Sequence, residues 1–221
     1  MLKTADLFDT SHSLAGSWLS GFEYPWQALQ DIKAQILALA AELDDSYTEV
    51  SPQVWVHKTA VIAPSAYLGA PCIIGARTEV RHCAFIRGSA LVGENCVVGN
   101  SVELKNVILF DNVQVPHFNY VGDSILGYKS HMGAGAVTSN VKSDHSLVVV
   151  KDGSQQMPTG LKKFGAMLGD FVEVGCNSVL NPGTVVGRYS NVYPTSCVRG
   201  VVPEYSIWKN NGTVVAKIRK D

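Results

Sequence analysis

The sequence lacks a strong excess of charge and has no long apolar run. Its 221 residues carry 18 basic and 19 acidic side chains, so the formal net charge is -1. This balance gives no electrostatic footprint for nucleic acid or for an anionic membrane surface. No apolar stretch approaches the ~20 residues that a membrane-spanning helix needs. The N-terminus also lacks a basic segment followed by an apolar one. We therefore expect a cytoplasmic protein with one core and no nucleic-acid or membrane partner.

Cysteine is scarce, and its spacing argues against cysteine chemistry. The chain has five cysteines, and none of them belongs to a Cys-x-x-Cys pair. An odd number without paired spacing favours reduced, structural thiols. His82 directly precedes Cys83, but no base flanks Cys176 or Cys197. We do not expect a nucleophilic cysteine.

What the sequence does contain is a period of six residues. An aliphatic residue falls on every sixth position in the series Val56, Ile62, Leu68, Ile74, Val80, Ile86, Val92, Val98, Leu104. Small residues lie four positions after most of them, and Gly69, Gly75, Gly93 and Gly99 directly follow four of them. One hexad forms one flat side of a coil, and three sides close a turn of eighteen residues. The period therefore predicts an all-β parallel β-helix.

The same ladder continues through the rest of the chain with two one-residue slips and one long interruption. Its later members are Leu109, Val115, Val121, Leu126, Met132, Thr138, Leu168, Val174, Leu180, Val186, Val192 and Val198. The whole ladder contains twenty-one hexads, which corresponds to about seven coils. The short triangular repeat is similar to that of hexapeptide-repeat proteins, which implies a left-handed winding.

Three segments lie outside the predicted β-helix of residues 51–202. Residues 1–50 form a predicted N-terminal helical extension, because Pro25 can open a helix and apolar residues recur at helical spacing through Glu42. We expect this helix to cap the open end of the prism. Residues 139–167 form an extruded loop with a strand at Leu147–Val150, expected to reach over a neighbouring subunit or a ligand. Residues 203–221 form a tail with a closing hairpin.

Three cations, Arg81, Arg87 and Lys105, take places that glycine or alanine fills elsewhere in the ladder. Arg87 and Lys105 are eighteen residues apart, so they should stack on adjacent coils. Two fixed cations about 5 Å apart repel by about 1 to 3 kcal/mol, and an anion between them would reverse that sign. Alternatively, both side chains point into water or pair with Glu103 and nearby acids.

Further polar residues extend this row of stacked positions. Once the slips are included, Asn140 falls above Arg87 and Lys105, Tyr120 lies at the corner leading into this side, and His117 lies three residues earlier. The spacing predicts one upright stripe of two cations, a phenol, an imidazole and an amide. A lone histidine in a coil can equally be structural.

Two motifs within the ladder are familiar. Gly-Asn-x-Val-Glu-x-Lys covers residues 99–105, His-x-x-Tyr-x-Gly-Asp covers 117–123, and Met132–Gly135 and Asn140 follow. Together they resemble the acetyltransferase domain of bifunctional UDP-N-acetylglucosamine pyrophosphorylases over about residues 54–202. The stretch 160–170 is closer to archaeal-type sugar-phosphate members of that family.

The resemblance implies a function as well as a fold. That family's domain is a trimeric left-handed β-helix that transfers the acetyl group of acetyl-CoA to glucosamine 1-phosphate. The implied roles are His117 as general base, Arg87 and Lys105 as phosphate binders, Tyr120 and Asn140 as sugar-orienting groups, and Ala134 as an acetyl-CoA contact. Imidazoles titrate close to neutral pH, which suits removal of a proton from the attacking amine. Acetyl transfer of this kind requires no metal.

Some residues depart from the family pattern, and other functions stay open. His131 stands where the family usually has a substrate-binding asparagine, so galactosamine 1-phosphate is also a credible acceptor. No segment before Val54 is long enough for a nucleotidyltransferase domain. The alternatives are a non-catalytic β-helix that binds a sugar nucleotide and a γ-class carbonic anhydrase-like zinc protein. The zinc-ligand pattern of that carbonic anhydrase class requires a histidine five residues after His117, and this sequence has none there.

Overall fold

The computed structural model describes residues 1–218, so part of the predicted tail, 219–221, lies outside the described residues. The helices described are α1 (Thr4–Leu7), α2 (Gly16–Leu19) and α3 (Ile32–Ala40), with 3-10 helices at Thr10–His12 and Pro25–Gln30. None of the helices within residues 1–218 has the length and apolar character needed to cross a membrane.

The rest of the described chain is almost entirely strand. In chain order the strands are β1 (Tyr47–Ser51), β2 (Val54–His57), β3 (Val61–Ile62), β4 (Tyr67–Leu68), β5 (Cys72–Ile74), β6 (Glu79–Val80), β7 (Phe85–Ile86), β8 (Ala90–Val92), β9 (Val97–Asn100), β10 (Glu103–Leu109), β11 (Gln114–His117), β12 (Tyr120–Leu126), β13 (His131–Met132), β14 (Val137–Thr138), β15 (Val149–Asp152), β16 (Gln155–Pro158), β17 (Ala166–Leu168), β18 (Glu173–Val174), β19 (Val179–Leu180), β20 (Thr184–Val186), β21 (Asn191–Val192), β22 (Cys197–Val198), β23 (Val201–Val202), β24 (Ser206–Trp208) and β25 (Val214–Ala216).

Parallel pairing arranges these strands into the three faces of a prism. Face one contains β2, β5, β8, the second halves of β10 and β12, then β17, β20 and β23. Face two contains β3, β6, β9, β11, β13, β18, β21 and β24. Face three contains β4, β7, the first halves of β10 and β12, then β14, β19 and β22. The predicted all-β parallel β-helix is confirmed.

The ladder is longer than predicted, and its slips have a structural cause. It continues past Val198 through β23 and β24, and face two ends with the antiparallel strand β25, which makes that sheet nine strands. The two slips fall in β10 and β12, each of which passes from face three to face one as one continuous strand. Asn106 and Asp123 make these bends with φ of 54° and 48°.

The N-terminal segment lies along face one instead of capping the end of the prism. Helix α3 packs against β5, β8 and β10, and the Pro25–Gln30 helix packs against β12. Phe8 lies 5.1 Å from Phe110 and Trp26 lies 5.8 Å from Phe164, measured between ring centroids. The expected helix is also divided at Asp31 into a 3-10 and an α part.

The reason for this docking is a row of apolar side chains that point outward from face one. The row consists of Ile73, Leu91, Ile108, Ile125, Met167 and Val185, and each is at most 1% exposed. Each such aliphatic side chain gains ~1.5–3 kcal/mol on burial, so covering this face is strongly favourable.

The excursion 139–167 also folds back on its own prism. Strands β15 and β16 form an antiparallel hairpin, and the predicted strand at Leu147–Val150 is observed two residues later, as β15. Val148 and Val150 are fully buried, and the amino group of Met1 pairs with the carboxylate of Asp152. The hairpin therefore extends the cover of face one; the structure does not show it reaching outward. At the C-terminal end, β24 and β25 form the predicted closing hairpin.

Candidate functional site

Face three and its two edges carry most of the predicted site. Leu104 pairs with Ile86 on the preceding coil and with Val121 on the following one. The next residues, Arg87, Lys105 and Gly122, therefore form a vertical row at the end of this face. The N–H of Arg87 donates to the carbonyl of Leu104 at 2.8 Å. The two cations are stacked one coil apart, as their spacing predicts.

Each of these cations already has an acidic partner. Arg87 Nη1 lies 2.7 Å from Glu103 Oε1, with the arginine side chain 47% exposed. Glu103 raises the pKa of the Arg87 guanidinium through a hydrogen bond and through its charge. Lys105 Nζ lies 3.0 Å from Asp123 Oδ2. The alternative in which these side chains pair with neighbouring acids is the arrangement observed.

Asp123 is the centre of a buried polar cluster. Its side chain is only 6% exposed. Its Oδ1 accepts from Lys105 Nζ at 3.2 Å and from Asn106 Nδ2 at 2.9 Å. Its Oδ2 accepts from Lys105 Nζ and from Asn140 Nδ2. Because both oxygens have two donors, this carboxylate fixes the positions of Lys105 and Asn140 together.

Tyr120 lies across face three between its two edges. Its ring covers Gly122, where a Cβ atom would collide with the phenol. Burial raises the pKa of the Tyr120 hydroxyl above its ordinary value of 10.0, the charges of Asp123 and Glu103 add to this effect, and a hydrogen bond with Asn140 opposes it. The phenol is therefore a neutral hydrogen-bonding group over a wide pH range.

His117 lies at the other edge of face three, where face two ends. The side chain is exposed, and its backbone N–H donates to Asn119 Oδ1 at 3.1 Å. Asn119 is 2% exposed and donates from Nδ2 to the carbonyls of Gly133 and Ala136 at 2.8 and 3.0 Å. These bonds tie the corner to the next coil, so they fix the backbone that carries the imidazole.

Ala134 and His131 have different positions relative to His117. The N–H of Gly135 donates to the carbonyl of His117 at 3.0 Å, which places Ala134 one coil above His117. His131 pairs with Gln114, at the opposite end of the face-two strands. Its Nδ1 lies 2.8 Å from Glu173 Oε2. Within one chain, His131 is therefore separate from the other predicted residues.

The chain matches a family model over most of the prism. The model is described as the GMPPB C-terminal domain, and it covers residues 77–202, which is more than half of the chain. The chain belongs to the GMPPB C-terminal domain family. The matched range includes every predicted site residue from Arg87 to Asn140.

Curated relatives of this member of the GMPPB C-terminal domain family include bifunctional enzymes. A Sulfurisphaera tokodaii protein named bifunctional sugar-1-phosphate nucleotidylyltransferase/acetyltransferase is 32% identical over 96 residues, which are 43% of this chain and 24% of the relative. A Methanococcus maripaludis protein named bifunctional protein GlmU is 31% identical over 118 residues, 53% of this chain and 28% of the relative. The chain thus spans about a quarter of the length of these relatives. The predicted resemblance to bifunctional acetyltransferases is confirmed.

Two of the solved structures similar to this family member are the following. The acetyltransferase domain of PglB from Neisseria gonorrhoeae, in complex with acetyl coenzyme A, aligns with 18% identity and a TM-score of 0.35, covering 84% of this chain and 65% of that one. The UDP-N-acetylglucosamine acyltransferase from Campylobacter jejuni aligns with 15% identity and a TM-score of 0.36, covering 69% and 70%.

Sequence reasoning missed two residues that organise the site of this GMPPB C-terminal domain protein. Asp123 and Asn119 lie within the His-x-x-Tyr-x-Gly-Asp motif but had no assigned role. Asp123 follows Asn106 by one coil and bends with the same left-handed φ, a geometry that the six-residue period does not reveal. The bonds of Asn119 depend on a corner geometry that no period reveals. Within residues 1–218, no group of three or more His, Cys, Asp or Glu side chains is placed to hold a metal ion.

Proposed function

We propose that the protein is an acetyl-CoA-dependent N-acetyltransferase that acts on an amino-sugar 1-phosphate, either glucosamine 1-phosphate or galactosamine 1-phosphate. The observation that carries this proposal is the polar surface that crosses face three. It starts at the exposed His117, continues through Tyr120 and ends at the buried pair of Lys105 and Asp123.

The proposed chemistry is direct transfer between two bound substrates. The amine nitrogen attacks the thioester carbonyl carbon of acetyl-CoA, and the imidazole of His117 accepts the proton that the nitrogen loses. The carbon–sulfur bond then breaks, and the leaving thiolate takes a proton to give free coenzyme A. Tyr120 and Asn140 orient the sugar, and the backbone of Ala134 contacts acetyl-CoA. This step needs no enzyme nucleophile and no metal. One of the curated relatives carries acetyltransferase and sugar-1-phosphate in its name.

We further propose that the active protein is a homotrimer whose second copy covers face three. Tyr67 and Phe85 on this face are 60% and 42% exposed, and Phe118 at its edge is 62% exposed. Neighbouring apolar side chains with this exposure mark contact surfaces. In this proposal His131 of one copy contributes to substrate binding at face three of a neighbouring copy. A cytoplasmic location stays a prediction.

The test is release of free thiol from acetyl-CoA with glucosamine 1-phosphate, galactosamine 1-phosphate and glucosamine as acceptors. We expect His117→Ala to lower kcat by about 10²–10⁴-fold, because a positioned general base contributes that much. His82→Ala is the matched control, since His82 lies in the same vertical row two coils below and is also exposed.

One outcome would reject the role of His117, and another would reject the function. Full activity in His117→Ala would show that another group accepts the proton. Binding of a sugar nucleotide without any thiol release in the unsubstituted protein would favour the alternative of a non-catalytic sugar-nucleotide-binding β-helix.

A further inference from the structure

One side chain joins the N-terminal segment, residues 1–40, to the buried Asp123 cluster. Asn106 makes the bend in β10 where face three passes into face one, with a φ of 54°. Its Nδ2 donates to the carbonyl of Leu29 at 3.0 Å and to Asp123 Oδ1 at 2.9 Å. Both hydrogens of this amide are therefore used.

The carbonyl of Leu29 needs a donor from outside its own helix. Leu29 lies near the end of the 3-10 helix Pro25–Gln30, where the last carbonyls have no N–H partner within the helix. Leu29 is 3% exposed, and an unpaired buried carbonyl is costly. The bond from Asn106 therefore stabilises the docked N-terminal segment as well as the cluster.

A second contact joins the same helix to the cluster. The ring centroid of Trp26 lies 5.8 Å from that of Phe164, and both rings are buried. The N–H of Phe164 donates to the carbonyl of Asn140 at 2.9 Å, and the side chain of Asn140 donates to Asp123. The Pro25–Gln30 helix thus supports the cluster at two points.

Two residues of the proposed acceptor site depend on this support. The Asp123 carboxylate holds the ammonium of Lys105 and the amide of Asn140. Without the Asn106 amide, Oδ1 would keep only its bond from Lys105, which frees both charged groups to move. A displacement of about 1 Å is enough to weaken a transfer reaction strongly.

We propose that Asn106 is a positioning residue through which the N-terminal segment fixes the geometry of the acceptor site. The segment then does more than cover the apolar row on face one, because its 3-10 helix holds the Asp123 cluster in place. Asn106 acts through Asp123 and does not itself contact the acceptor. The inference rests on the proposed function for the reaction, whereas the coupling between segment and cluster is independent of the acceptor's identity.

The first test compares Asn106→Gly with Asn112→Gly in the thiol-release assay. Glycine accepts the left-handed backbone at both positions, where φ is 54° and 61°. Asn112 lies at the opposite corner of face one, and among residues 1–218 its side chain has no hydrogen-bond partner. We expect Asn106→Gly to raise the KM for the acceptor about tenfold or more, because a hydrogen bond to a charged group is lost, and to leave the KM for acetyl-CoA unchanged. Asn112→Gly should change neither.

The second test separates support of the site from stability. Trp26 and Phe8 are both buried rings that anchor the N-terminal segment, but Phe8 contacts Phe110 at the far corner of face one. Trp26→Leu and Phe8→Leu should both lower the midpoint of urea denaturation, and only Trp26→Leu should raise the acceptor KM. In the double variant Asn106→Gly/Trp26→Leu, the KM should rise by less than the product of the single effects, because both act through one support.

Hydrogen–deuterium exchange gives a readout that needs no acetyl transfer. Trp26→Leu should speed exchange in residues 103–106 and 120–123, and Phe8→Leu should not. An unchanged acceptor KM in Asn106→Gly, an equal rise in Asn112→Gly, or fully multiplicative effects in the double variant overturns the inference. If the unsubstituted protein releases no thiol, the proposed function fails, and the exchange pattern alone decides whether the segment supports the cluster.

Discussion

Replacing Asp123 with alanine should destabilise the protein strongly. The carboxylate is 6% exposed and accepts hydrogen bonds from Lys105, Asn106 and Asn140. After Asp123→Ala, the ammonium of Lys105, itself only 24% exposed, loses its counter-charge, and two amides each lose an acceptor. Removing one partner of a buried ion pair costs about 3–5 kcal/mol. Because Lys105 keeps some contact with water, we expect a decrease of about 2–4 kcal/mol in the free energy of unfolding.

Urea denaturation with an unchanged m-value measures this decrease as a lower midpoint. Glu94→Ala is the matched control, because Glu94 pairs with Arg77 on the surface, where the side chains are 47% and 57% exposed. Exposed pairs contribute about 0–1 kcal/mol. Asp123→Asn should fall between the two, since it keeps one acceptor oxygen. If Asp123→Ala destabilises the protein no more than Glu94→Ala does, the buried Asp123 cluster does not contribute strongly to stability.

Two further predictions concern titration and packing. Burial raises the pKa of Tyr120 in the folded protein above the ordinary value of 10.0. The stabilisation that this group provides is therefore complete below pH 10.0, and it is lost as the pH rises through the raised pKa. The phenolate absorbance of the unsubstituted protein minus that of Tyr120→Phe should therefore appear at higher pH than for free tyrosine; an earlier appearance would contradict the burial. On face one, Ile108→Ala should cost about 2–5 kcal/mol of unfolding free energy in urea denaturation, because the side chain is 1% exposed. Val179→Ala on face three, where the side chain is 37% exposed, should cost clearly less, and equal costs would show that the N-terminal segment does not seal face one.

The prism could be predicted because its inward residues repeat along the chain. Val56, Ile74 and Val92 fall eighteen residues apart and occupy equivalent places on successive coils. A period of this kind needs no knowledge of tertiary contacts, since each coil meets only its neighbours. The stacking of Lys105 above Arg87 follows from the same period.

The docking of the N-terminal segment could not be read from that ladder. The signal lies in the residues before the ladder positions, such as Ile73, Leu91 and Ile108, which are also aliphatic but recur only on every third side. The six-residue period treats all three sides of a coil alike. It therefore does not reveal an aliphatic repeat that occurs on only one side of each coil. The hexad pattern alone therefore identified the core but not which face is covered.

The site was only partly predictable for a related reason. Residues that act through backbone register, such as Lys105 and Tyr120, were found from spacing. The role of Asp123 depends on side chains from three coils that converge at a bend, and the role of Asn119 depends on carbonyls that the next coil brings to a corner. Both are consequences of three-dimensional closure, for which local sequence has no periodic signal.

The cover on face one limits how copies of this protein can associate. A triangular column normally offers three flanks to its neighbours, but here the first forty residues and the β15–β16 hairpin occupy one of them permanently. Any symmetric ring must therefore be built from the two remaining flanks. A chain shortened to begin at Val54 would expose a row of apolar side chains along the column, and it should aggregate before it could assemble.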